Sequence, residues 1–81
     1  METPLTQLGA DEEGLIVSLQ GGYGMQARLR SLGLVEGQRI RKLSHIGRSG
    51  PVIVLVNRMQ VAVGFGMARR ILIKPRFPRA R

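Results

Sequence analysis

The chain has no cysteine and no tryptophan, and its 81 residues include one histidine, His45. Without cysteine, disulfides and thiolate metal sites cannot support the fold, and the composition fits a reducing compartment. With His45 alone, neither a two-histidine metal site nor a histidine-centred acid–base constellation can be assembled within one chain. Ser31 and Ser44 have no evident base, and Met25, Met59 and Met67 read as core filling rather than soft-metal ligands. Aromatic residues are few and isolated (Tyr23, Phe65, Phe77), so the stacking platform of a single-strand nucleic-acid binder is missing. The longest aliphatic run, 52–56, falls far short of the ~18 residues of a spanning helix, and the N-terminus has no basic stretch leading into an apolar one. These absences predict a soluble cytoplasmic chain and no catalytic site.

Carboxylates are also missing from more than half of the sequence. Glu2, Asp11, Glu12, Glu13 and Glu36 all precede position 37, whereas eleven of the thirteen basic residues follow it, within a net charge of +8. Such a field favours an acidic partner: an acidic protein face, an anionic lipid surface or nucleic acid.

What is present is organised around residues 24–37. Met25, Leu29 and Leu32 recur at i, i+4 and i+7, which predicts a short helix over about 24–32 with one apolar face. Gly24 is assigned to the entry turn and Gly33 to the left-handed position that ends the helix, with Leu34 folding back on Leu29. Gly37 suits the third position of a type II turn over 35–38. A helix this short has little stability alone, so its apolar stripe must dock on a sheet.

Alternation and β-branched content supply the strands. Expected are residues 4–8, 15–19, a basic strand over 38–46 whose broken period signals a bulge, 52–56, 59–63 after a tight turn at Asn57 and Arg58, and 69–74, stopped by Pro75. A short helical turn or a bulge is expected near 65–68. The fold class is mainly β: an antiparallel barrel of five to six strands, closed on itself, with the helix plugging one end. Residues 1–75 form one domain, and 76–81 read as a mobile basic tail.

Two motifs fail on context. Residues 22–27 spell G-x-G-x-x-A, but no parallel crossover unit and no later carboxylate accompany them. Asp11, Glu12 and Glu13 lack the alternate spacing of a calcium loop.

Residues 22–37, with their glycines, Arg28-Leu29, Leu32-Gly33-Leu34 and Gly37, together with residues 50–54 and 61–68, resemble the two sequence blocks of the bacterial ferrous iron transport protein A (FeoA) family. The resemblance spans about residues 4–74 and implies an SH3-like barrel and a cytosolic accessory of FeoB, the ferrous iron transporter, with no catalytic site. It implies no certain cofactor, ferrous iron being a candidate transient ligand with no residues assigned to it. The partner-binding candidates are Arg39, Arg41, Lys42 and Arg58 for charge, with Met25 and Met67 bordering an apolar groove. The expected partner is the FeoB cytosolic region, close to inner-leaflet anionic lipid, with the chain a monomer or weak dimer. A small basic barrel that binds nucleic acid is the alternative. Glu36 stands where relatives often carry proline, Lys42 where an apolar strand residue is common, and the basic tail extends past the usual end.

Overall fold

The computed structural model describes residues 2–76; Met1 and residues 77–81, including Phe77 and most of the expected tail, lie outside the described residues. In chain order the elements are β1 (Thr3–Pro4), a 3-10 turn (Leu5–Gln7), β2 (Glu13–Leu19), α1 (Tyr23–Ser31), β3 (Arg39–His45), β4 (Val52–Val56), β5 (Met59–Val63), α2 (Phe65–Ala68) and β6 (Ile71–Pro75). The strands make one antiparallel sheet in the order β1-β6-β2-β3-β4-β5. Among the described residues no helix is long and apolar enough to cross a membrane.

α1 ends as its sequence requires. Gly33 has φ +88°, its N–H donates to Arg30 O, and the Leu34 N–H donates to Leu29 O, the paired bonds of a Schellman cap. Leu29 and Leu34 are both fully buried, and Met25 and Leu32 pack partly buried against the same core. The chain then turns at Gly37, φ +87°, with the Gln38 N–H on Val35 O. Gly24 plays no such part: it lies inside the first turn of α1, and Gly22 is the N-cap.

Three expectations need correction. Residues 4–8 do not form a strand, because Leu5 and Leu8 are both buried, and residues three apart share a face in a 3-10 turn but lie on opposite faces in a strand. β6 starts at Ile71, since the Arg69 and Arg70 N–H groups complete the α2 turn by bonding Phe65 O and Met67 O. It also includes Pro75: the Arg76 N–H bonds Glu13 O, which leaves the Pro75 nitrogen facing the side where β1 has already ended. Last, the barrel is not closed by a ladder. The sheet is open at β1 and β5, and α2 packs against the 3-10 turn between those two ends.

The expected irregularity in the basic strand is present as a register shift between Lys42 and Ser44, with a second shift between Ile16 and Ser18. β4 supplies the inner row Val52, Val54 and Val56, all buried, facing Ile16, Ile40, Ile71 and Ile73 of the same core.

Candidate partner-binding surface

Parity along β3 decides which cations reach solvent. Ile40 faces the core, so Arg39 and Arg41 face out, and Lys42, two residues on and still before the bulge, faces in. Arg39 and Arg41 meet Arg58 across the turn between β4 and β5. Together with Glu13, Ile40, Leu55 and Asn57 they line an open depression of about 180 Å³.

Within it the arginines differ. Arg41 and Glu13 are direct cross-strand partners of β3 and β2, and Arg41 Nη2 donates to Glu13 Oε2 at 2.7 Å. The other carboxylate oxygen accepts from Arg76 Nη1 at 2.9 Å. Hydrogen bonds from Arg41 first and Arg76 second hold the Glu13 carboxyl below the usual carboxylate range, and Glu13 in turn holds Arg41 more firmly in its charged form. Arg76, expected at the start of a mobile tail, is therefore tied to β2 by both backbone and side chain. The guanidinium groups of Arg39 and Arg58 have no hydrogen-bond or ion-pair partner among the described residues. Asn57 and Arg58 both take left-handed backbone, φ 51° and 65°, as a two-residue hairpin turn demands, although glycine is the favoured residue at the second place.

Lys42 does not belong to this surface. It is buried, with Nζ donating to Thr6 O at 3.0 Å and to Leu8 O at 2.6 Å. Its own backbone bonds Glu12 O and Asp11 N, so the residue pins the N-terminal segment onto β3. Burial lowers the pKa of the amine, partly opposed by the charge of Glu12. Met25 and Met67 are likewise apart from the arginines, half-buried against the core from α1 and α2.

Sequence reasoning passed over Glu13 and Arg76. The signal for Glu13 was an acidic residue at the head of one strand facing a basic neighbour, a favourable cross-strand pair. After α1, Arg30 grips Glu36 through both terminal guanidinium nitrogens, at 3.1 and 3.2 Å. His45 lies against Phe65 with ring centroids 6.0 Å apart, and its Nε2 has no partner. Among the described residues no three His, Cys, Asp or Glu side chains gather into a metal-binding group.

The chain is a small open antiparallel sheet bridged by short helical turns, with a basic depression on one face. The family model described as the FeoA domain matches residues 3–75, and the chain belongs to that family. A solved structure described as iron uptake regulatory protein (FeoA) is 32% identical, with a TM-score of 0.83, over 93% of this chain and 97% of that one. A relative from Methanocaldococcus jannaschii named for Fe(2+) transport, as protein A, is 28% identical over 71 residues, 88% of this chain and 84% of its own length. FeoA of Stenotrophomonas maltophilia, solved with zinc and described as an SH3 domain protein, shares the fold with a TM-score of 0.71 at 22% identity, over 89% of each chain.

Proposed function

We propose that this chain is a cytoplasmic accessory of ferrous iron uptake that docks on the cytosolic region of the FeoB transporter and modulates it, without catalysing a reaction. Family membership supplies the transport context, and ferrous iron enters as the transporter's cargo. Arg58 carries the reading. A long cationic side chain is held in left-handed backbone, a position where glycine would relieve strain, and it has no partner among the described residues. An acidic face on another molecule accounts for the charge being there. Arg39, beside it in the same depression, provides a second contact, and the carboxylate of Glu13 in that depression is already paired with Arg41 and Arg76.

The test is capture of the purified FeoB cytosolic region on immobilised protein at moderate salt. The wild-type chain retains it, and the double variant Arg39→Glu, Arg58→Glu loses most of it. Absence of binding by the wild-type chain, or equal retention by the variant, refutes the reading.

A further inference from the structure

The two ends of the sheet are treated differently. β1 is two residues long and offers little to a neighbouring strand. The β2–β6 and β3–β4 pairs carry bulges. β5 has none of the features that blunt an edge: it runs five residues in unbroken register with β4, without proline, lysine or any charged side chain between Met59 and Val63.

Its free hydrogen-bonding groups follow from the turn. A two-residue hairpin makes Val56 and Met59 a hydrogen-bonded pair, and alternation makes Val54 with Val61 and Val52 with Val63 the next ones. The N–H and C=O groups of Gln60 and Ala62 therefore point away from β4. Both residues are exposed, and among the described residues their backbone groups have no other partner.

We infer that the outer edge of β5 takes up an extended segment of the protein partner as an added strand, with carboxylates on the end that reaches Arg58. The inference rests on the adaptor reading above and names how that contact is built. Charge selects the occupant. Arg58 stands at the turn end of the edge with Arg39 beside it in the same depression, so carboxylates on that end of the added segment are attracted. A second copy of this chain, bearing the same +8, would be repelled. Backbone pairing at Gln60 and Ala62 gives affinity, and the arginines set direction.

The experiment uses the intact chain and the purified FeoB cytosolic region, with amide hydrogen exchange read residue by residue. On binding, the Gln60 and Ala62 amides slow at least tenfold. Ala62→Pro removes an outward N–H and no bond to β4, so the variant keeps its thermal midpoint within a few degrees while affinity falls at least tenfold. Binding by the wild-type chain with unchanged exchange at both amides overturns the edge assignment and leaves the adaptor reading standing. If the wild-type chain does not bind, both are overturned. Exchange in the wild-type chain decides the question even if Ala62→Pro fails to fold.

Discussion

Replacing Lys42 by methionine keeps the buried stem and removes the ammonium, leaving Thr6 O and Leu8 O without their donor. Hydrogen bonds from a charged donor contribute roughly 1.5–3 kcal/mol each, so two represent about 3–6 kcal/mol before the ammonium's desolvation is counted. Burying that ammonium opposes part of the gain, as the lowered pKa indicates, and we expect Lys42→Met to destabilise by about 2 kcal/mol. For a domain of this size that is roughly 8–16 °C in thermal midpoint. Far-UV circular dichroism is the appropriate probe, because there is no tryptophan and Tyr23, the only tyrosine, is 89% exposed in the folded state. The pH dependence has a definite sign. A lysine whose folded pKa is depressed binds fewer protons folded than unfolded, so its contribution improves as pH rises from the folded value toward the ordinary lysine value. The gap between wild type and variant should widen over that interval. A Lys42→Met chain as stable as wild type would show that the two carbonyls do not depend on this amine.

Three further outcomes are expected. Gly33→Val places a β-branched residue at φ +88° and should lower stability by roughly 1–2 kcal/mol in urea unfolding; an unchanged midpoint would mean that the cap tolerates a side chain. Arg58→Gly relieves a left-handed residue and should raise stability by about 1 kcal/mol while weakening capture of the FeoB cytosolic region, so a variant neither more stable nor weaker in binding would count against the role given to Arg58. Glu13 has a folded pKa below its unfolded value, so its contribution is present above the ordinary carboxylate range and is lost as pH falls through the folded value. Glu13→Gln should therefore show a shallower decline in urea midpoint between about pH 6 and about pH 3 than wild type, and parallel declines would contradict the pairing with Arg41 and Arg76.

Legibility in the sequence followed locality. The α1 cap, the turn at Gly37 and the β4–β5 hairpin are fixed by neighbours within a few residues, and glycine, asparagine and β-branched side chains announce them directly, whereas at 65–68 the local pattern left a helical turn and a bulge open. Residues 4–8 misled because alternation was weighed over the three-residue spacing of Leu5 and Leu8, which only burial against α2 and β6 turns into a helical turn. Closure of the ladder is a property of the whole sheet, and no local pattern reports it. At the candidate site, Arg39, Arg41 and Arg58 line one depression. Lys42 was misplaced because charge grouped it with the arginines while strand parity groups it with Ile40. The bulge falls just after, so the parity set by Ile40 still holds and turns the amine inward. Arg76 was assigned to the tail on composition alone, whereas Glu13 sits 63 positions away in sequence, a separation at which composition is silent.

The central claim is that a basic depression and its adjoining strand edge recruit an acidic partner. Backbone chemical-shift mapping of the labelled chain against the FeoB cytosolic region tests it most directly. The account predicts perturbations concentrated at Arg39, Arg41, Asn57 and Arg58 and along residues 60–62, fading as salt is raised. Shifts confined to α1 and its Arg30–Glu36 pair, or none anywhere at low salt, would contradict it.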